Sequence, residues 1–315
     1  MSDAQARVLI TGAGGYIGRQ LGQRLAQTGY VLGIDLRASD EAGFPILALD
    51  IRDPALAELM AREQITHVVH LAAVLEDSGD RARDYDIDVN GTRNVLDACV
   101  AAGVQHICVS SSGAAYGYHA DNPAWLSETD TLRGNPEFAY SDHKRQVEEL
   151  LEAYRAQQPQ LRQLILRVGT VLGAKTSNLI TALFARKRLI AVRGSASPFV
   201  AIWDQDLLGI IEQGVRSSCS GIFNVAGDGA LSMREIADLL GKPLLNLPAP
   251  LLKTVLALGK LSGLGRYGPA QVNFLRYRPV LDNTRLKGEF GYTPQKTSRE
   301  VFEYFIEHAR QRGVL

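Results

Sequence analysis

Apolar positions in this chain follow two periods that take turns. Val8-Leu9-Ile10 is a continuous aliphatic run of the kind a doubly buried strand needs, and Leu21, Leu25 and Ala26 then recur at helical spacing. Residues 30–34 read as a second strand closed by Asp35, and residues 44–50 as a third. Asp53 and Pro54 open a helix running to about Arg62, with Asp53 as its N-cap. Residues 66–73 hold a fourth strand and its exit, 88–102 a long amphipathic helix stopped by Gly103, and 106–109 a fifth strand. A polar, turn-rich loop at 119–136 precedes a helix at 138–157 and a sixth strand at 161–168. Strands alternating with helices predict an α/β fold with a doubly wound parallel sheet, its ligand crevice at the strand C-termini.

Beyond residue 172 the pattern loosens. Short strands are predicted at 190–192, 199–202 and 221–226, and a helix at 233–240 capped by Ser232. Residues 243–281 are apolar and rich in Gly and Pro, which suits a small lobe of short helices and loops. Asp282 caps a helix that ends before Gly291, and a last helix spans 298–312. The division expected is a dinucleotide-binding domain over 1–172 and, over 173–315, mainly a substrate-binding lobe, with about 199–226 returning to the sheet.

Gly12, Gly15 and Gly18 stand at three-residue steps between the first strand and the first helix. Such a turn lets backbone approach a diphosphate, and the helix behind it offers free N–H groups and a positive dipole end. Asp35 is placed to accept from both ribose hydroxyls of an adenosine and to repel a 2′-phosphate, while Arg37 leaves a 2′-phosphate cofactor open. The bland alternative is a structural turn beside a solvated acid.

Tyr140 and Lys144 lie at i and i+4 of one predicted helix. A phenol is a poor base near neutral pH, and an adjacent ammonium favours the phenolate. The pair can therefore take a proton from a substrate hydroxyl while a hydride leaves its carbon. Ser112, where the fifth strand ends, is placed to hydrogen-bond the reacting oxygen. Taken singly, a solvated lysine and a turn serine are the ordinary readings; their order along the chain is what joins them.

Composition excludes other classes. The chain has 315 residues with 34 acids against 34 bases and a formal net charge of zero, so nothing marks nucleic acid or a membrane as partner. No apolar run reaches spanning length, no basic-then-apolar leader precedes the first strand, and no metal-ligand spacing stands out. Cys99, Cys108 and Cys219 form no disulfide pattern, which fits a reducing, cytoplasmic setting, with Cys99 and Cys108 in the core.

These residues resemble the extended short-chain dehydrogenase/reductase superfamily, in its NAD-dependent epimerase/dehydratase branch. The likeness covers nearly the whole chain and is strongest over residues 7–172. It rests on Thr-Gly-x-x-Gly-x-x-Gly at 11–18, Asp35, Asp50-Ile51, His70-Leu71-Ala72-Ala73, Asn90-Gly91-Thr92, the run from Ser110 to Gly117, and Tyr140 with Lys144. The resemblance implies a Rossmann sheet, NAD as cofactor with NADP the lesser candidate, a small-molecule substrate and a homodimer built on the helices at 88–102 and 138–157. It further implies Ser112, Tyr140 and Lys144 as catalytic, with Tyr140 and Lys144 also touching the cofactor. Gly12, Gly15, Tyr16, Ile17 and Gly18 would line the pyrophosphate and Asp35 the ribose. Asp50 and Ile51 would meet the adenine, Leu71, Ala72 and Ala73 would pass beside the cofactor, and Asn90 would tie the active-site helix to the sheet.

Two departures bear on substrate. Nucleotide-sugar members often show Arg-x-x-Asn after the sixth strand, where this chain reads Arg167-Val168-Gly169-Thr170. They also carry an arginine before the stretch that begins here at Phe199, a place this chain leaves without one; Arg193 or Arg278 is the available substitute, and Trp203 a candidate pocket wall. The implied activity is hydride transfer at a secondary alcohol or ketone carbon, of a nucleotide sugar by epimerase/dehydratase chemistry or of another hydroxy or keto substrate by net dehydrogenation. A non-catalytic NAD-sensing module is the remaining alternative.

Overall fold

The computed structural model describes residues 6–39, 41–76, 78–262, 268–269 and 271–315. The chain runs β1 (Arg7–Thr11), α1 (Tyr16–Ala26), β2 (Tyr30–Asp35), β3 (Ile46–Ala48), α2 (Ala55–Arg62), β4 (His67–His70) and α3 (Arg81–Tyr85). A π-helical turn at Asp86–Asn90 joins α3 to α4 (Gly91–Ala101). β5 (His106–Ser112) leads, through a 3-10 turn at Gly113–Tyr116 and a long loop, to α5 (Ala139–Gln157) and β6 (Arg162–Val168). Next come β7 (Thr170–Leu172), α6 (Leu179–Phe184), β8 (Leu189–Val192), β9 (Ala201–Trp203), α7 (Asp204–Ser217) and β10 (Gly221–Val225). The remainder is α8 (Met233–Leu240), β11 (Leu244–Leu247), α9 (Ala249–Leu261), α10 (Gln271–Arg276), α11 (Thr284–Gly288) and α12 (Ser298–Gln311).

Seven strands form one sheet in the order β10-β6-β5-β4-β1-β2-β3. β1 pairs in parallel with β2 and β4, β2 with β3, and β4 with β5. This is the doubly wound α/β sheet that the sequence pattern predicts. The winding direction reverses between β1 and β4, and the C-terminal mouth of that gap is where such sheets take ligands.

Two compact units make up the chain. The first comprises Met1–Ser112, His143–Arg167 and Asp204–Phe223. Its core sets Leu9, Val68 and Ile107 of the sheet against Leu56 and Met60 of α2 and Val95 and Leu96 of α4, all with no exposed surface. Each such side chain contributes roughly 1.5–3 kcal/mol on burial. Cys99 and Cys108 belong to this interior as free thiols, and burial pushes the Cys108 thiol up to about 12.

The second unit comprises Gly113–Asp142, Val168–Trp203 and Asn224–Leu315. It holds the parallel pairs β7–β9 and β8–β11. Phe184, Phe302 and Phe305 centre its core, with Phe184 edge-on to Phe302 at 4.8 Å. Ser232 caps α8 through a reciprocal box with Glu235, and Thr297 does the same for α12 with Glu300. The loop at 119–136 is pinned at Asn224, whose Nδ2 donates to Leu126 O and whose N–H donates to Glu128 Oε1, at 2.8 and 2.7 Å.

Several predicted bounds need correction. The helix expected at 88–102 is preceded by α3 and interrupted by the π-helical turn, because Asp88 is drawn inward to a buried partner described below. The third strand is only Ile46–Ala48, and β5 runs on into the serine triplet. Pro54, not Asp53, occupies the N-cap position of α2, although Asp53 Oδ1 accepts Ala55 N–H at 2.8 Å. Asn283 flanks α11 while Asp282 Oδ1 accepts Thr284 N–H at 2.8 Å. Helices α6 and α7 and strand β7 are additions to the sequence reading. Part of the 243–281 stretch, namely 263–267 and 270, lies outside the described residues. Among those described, no helix is long and apolar enough to cross a membrane.

Candidate active site

The glycine turn is built by two backbones in contact. Gly12 leaves β1 at φ +68°, and a Cβ there would sit 2.8 Å from Ala72 N, just after β4. At Gly18 a Cβ would overlap the Gly12 carbonyl and lie 2.8 Å from Ala13 Cα. Larger residues at either place would fill the cradle. Gly15 precedes α1 in an extended conformation and no side chain caps that helix, so its first N–H groups are available to an anion. Asp35 is held beside the turn by Gly14 N–H at 2.9 Å and Leu36 N–H at 2.8 Å. A carboxylate beside an uncapped, glycine-lined helix start fits a dinucleotide's ribose and diphosphate.

The other predicted cofactor residues fall nearby or elsewhere as follows. Tyr16 is partly exposed, with its hydroxyl on Asp204 of α7, and Ile17 is half-buried. Both oxygens of Asp50 are engaged by Arg52, whose hydrogen bonds hold that carboxyl below the usual range. Ile51 is buried, and its carbonyl accepts Asn94 Nδ2 at 2.7 Å. Asn90 does not tie the active-site helix to the sheet: it is exposed and donates to Asp86 Oδ1 at 2.9 Å. That tie comes from Asp88, whose Oδ2 meets His143 Nδ1 of α5 at 3.0 Å while Oδ1 accepts Val74 N–H at 2.8 Å.

Thr11, His70 and Thr92 form a hydrogen-bonded row with a fixed direction. Thr11 Oγ1 accepts Leu71 N–H and Ala72 N–H, each at 3.2 Å, so its own hydrogen points to His70 Nδ1 at 2.7 Å. His70 therefore carries its proton on Nε2 and donates to Thr92 Oγ1 at 3.0 Å, and Thr92 donates onward to the Asp88 carbonyl. Burial, and secondarily the Lys144 charge, press the His70 pKa to about 3, which keeps the ring neutral. Leu71, Ala72 and Ala73 leave β4 directly after it, and His70, Ala72, Ser110 and Lys144 line a small recess with room for about one water molecule.

On α5, Lys144 is buried and donates from Nζ to the Ser110 carbonyl at 3.0 Å, fixing the helix to the end of β5. Tyr140 lies one turn earlier, half-buried. The serine run divides by strand alternation. Ser111 Oγ donates to Glu148, which Arg167 grips through Nε and Nη2 at 2.9 and 2.7 Å. Ser111 is thus committed to the opposite face of β5 from Ser110 and Ser112. Ser112 shares the face of Ser110 and stands at the strand's end.

The second unit supplies a half-buried cation. The Arg278 guanidinium lies 3.4 Å over the Phe199 ring and 4.8 Å over that of Phe274. Its Nε has no hydrogen-bond partner among the described residues, and burial presses its pKa to about 9. Phe138 stacks on Phe274 at 5.6 Å, and Tyr118 packs on Phe274 at 5.1 Å. Burial raises the Tyr118 pKa; the nearby Tyr140 adds to that rise and Arg278 opposes it. Tyr118 is therefore a common neighbour of Tyr140 and Arg278. Arg193 is exposed, whereas Trp203 packs edge-on to Tyr304 at 5.6 Å beneath Lys296. Asp88, His143, Glu148 and Tyr118 escape the sequence reading. Their one visible signal is position, since His143 and Glu148 flank Lys144 on a helix already singled out.

A glycine cradle, an acid beside it and a Tyr/Lys helix on a doubly wound sheet mark a dinucleotide-dependent enzyme of the extended short-chain dehydrogenase/reductase type. The chain belongs to the NAD dependent epimerase/dehydratase family, which it matches over residues 8–197. NAD is accordingly its cofactor. It is 27% identical over 324 residues to an uncharacterized protein of Mycobacterium tuberculosis, covering 98% of this chain and 84% of that one. It is 32% identical over 190 residues to a UDP-glucose 4-epimerase of Yersinia pestis, covering 55% of each. Among solved structures it resembles the Bordetella bronchiseptica enzyme WbmG in complex with NAD, at a TM-score of 0.77 and 20% identity over 99% of this chain and 96% of that one. A Thermus thermophilus UDP-glucose 4-epimerase complexed with NAD gives a TM-score of 0.74 and 24% identity over 96% and 99%. These two structural likenesses establish the fold.

Proposed function

We propose that the chain performs epimerase- or dehydratase-type chemistry at a secondary alcohol carbon of a nucleotide sugar. The observation that carries the substrate class is Arg278: a half-buried guanidinium whose buried Nε has no partner among the described residues calls for an anion, and a nucleotide sugar brings a diphosphate. Arg278 and Tyr118 both pack on Phe274, and Tyr118 feels the charge of Tyr140, which supports an anion near that phenol. Relatives named as acting on UDP-glucose support the same reading.

In this reading Tyr140 Oη takes the substrate hydroxyl proton and later returns it. Lys144 Nζ, anchored on the Ser110 carbonyl, holds a positive charge one helical turn from the phenol. Ser112 Oγ hydrogen-bonds the reacting oxygen. When bound, NAD would supply the acceptor and donor of hydride for that carbon; Gly12, Gly15 and Gly18 would line its diphosphate and Asp35 its ribose. A second reading, net dehydrogenation with cofactor exchange, is favoured by Thr170, which stands where nucleotide-sugar members carry Asn.

Thermal shift with NAD, NADP, UDP-glucose, other nucleotide sugars, hydroxy acids and ketones tests the substrate class. A nucleotide sugar should raise the melting temperature of the NAD complex, and Arg278→Gln should remove that rise. Tyr140→Phe should abolish turnover while NAD affinity stays within a few fold; substantial residual activity would rule the phenol out. Reduced nicotinamide that stays with the protein through turnover separates the epimerase reading from net dehydrogenation.

The homodimer belongs to the same proposal. Ala98, Val147, Leu150 and Leu151 are buried within the chain, so a partner would use the outer edges of α4 and α5, which sedimentation would detect. The free thiols at Cys99, Cys108 and Cys219 support a cytoplasmic setting.

A further inference from the structure

Register divides the β8–β11 pair into two faces. Leu189 pairs with Leu244, Ile190 with Leu245, Ala191 with Asn246 and Val192 with Leu247. Leu189, Ala191 and Leu244 join the core completed by α8 and α12. Val192 and Leu247 pack instead with Leu252 and Leu256 of α9. Ile190 and Leu245 share that second face by alternation, and they are exposed at 41% and 37%.

Helix α9 is apolar on both sides. Leu252 is buried against the strands, while Leu251, Val255 and Leu258, at i, i+4 and i+7, are exposed at 51%, 56% and 61%. A single exposed leucine needs no explanation. A row at helical spacing, on the same side of a sheet as two more exposed aliphatics, is a surface that calls for a cover.

Zero net charge hides a strong segregation along the stretches of sequence that build this surface. Residues 168–203 hold five bases and no acid, and residues 239–281 hold six bases and no acid. Arg186, Lys187 and Arg188 form an exposed run leading straight into β8, and Lys253 is exposed on α9. Among the described residues, the exposed apolar side chains of this face are leucine, isoleucine and valine; leucine and valine rarely anchor protein interfaces, and the Trp and Tyr that usually do are absent there. Aliphatic side chains beside clustered bases are the chemistry of a helix lying in a membrane interface.

We propose that this face of the second unit docks on an anionic phospholipid bilayer. Its leucines enter the acyl boundary and its bases meet headgroup phosphates, without any segment spanning the membrane. The proposal does not depend on the substrate assignment.

The test is co-sedimentation of the full chain, loaded with NAD, with vesicles of phosphatidylcholine alone or mixed with an equal part of phosphatidylglycerol. The chain should pellet with the mixed vesicles, far less with the neutral ones, and be released by salt. Changing Arg186, Lys187 and Arg188 together to Gln should weaken binding to the mixed vesicles by about a hundredfold. Leu258→Asp with Val255→Asp should abolish it, and Leu258→Gln serves as a milder change should the aspartates prevent folding. Unchanged NAD affinity and melting temperature show that each variant is folded. Wild-type protein left in the supernatant with both vesicles, or variants that bind as wild type does, would overturn the proposal. So would a chain that ignores vesicles but self-associates in a manner lost on Leu258→Asp, which would make the face a contact between copies.

Discussion

At the scale of single residues, the serine run shows how neighbours acquire different work. Ser110 lends its carbonyl to Lys144, Ser111 its hydroxyl to Glu148, and Ser112 ends the strand. On the proposed roles, Ser112→Ala should lower kcat by about a hundredfold, as loss of one aimed donor does, with little change in melting temperature. Ser111→Ala should do the reverse, since it leaves a buried carboxylate short of one donor, at a cost of about 1–3 kcal/mol. Steady-state kinetics beside urea unfolding of the two variants separates them. Glycine spacing, Asp35, Tyr140 and Lys144 were readable in the chain because each belongs to a local pattern. Arg278 was readable only as one of two spare arginines. Its meaning depends on Phe199, Phe274 and Tyr118, which are far apart in sequence and meet only in the fold.

At the scale of elements, the strands of the main sheet and the capped helices α8 and α12 announce themselves through aliphatic runs and through Ser232 and Thr297 with their paired glutamates. The π-helical turn does not. It exists because Asp88 must reach both Val74 and His143, and no local propensity records a contact across that many residues. Helix α7 carries Leu207, Leu208, Ile211 and Val215 at helical spacing, but it follows β9 without a loop and buries Asp204 and Asp206, which blurs its polar face. Removing the tie exposes what it holds. Asp88→Ala leaves Val74 N–H and the buried His143 ring without their acceptor, and should cost roughly 2–5 kcal/mol in chemical unfolding. It should also loosen α5, measurable as faster amide exchange around Lys144.

At the scale of the molecule, buried histidines set the response to acid. Burial lowers His67 to about 4 and His70 to about 3. Unfolding returns both to about 6.5, so below that pH the unfolded chain binds protons that the folded chain refuses. Stability from these groups is full above about pH 6.5 and is lost as pH falls towards 4 and then 3, at up to about 1.4 kcal/mol per pH unit for each ring. Urea midpoints should therefore drop between pH 7 and pH 5, and His67→Gln should flatten that slope.

The acid-free stretches at 168–203 and 239–281 carry a separate consequence. Every positive charge gathered there is matched by a negative one elsewhere in the chain, whose formal charge at pH 7 is zero. A sulfonate resin should hold this formally neutral protein at that pH through those stretches, and release it as salt shortens the reach of their field.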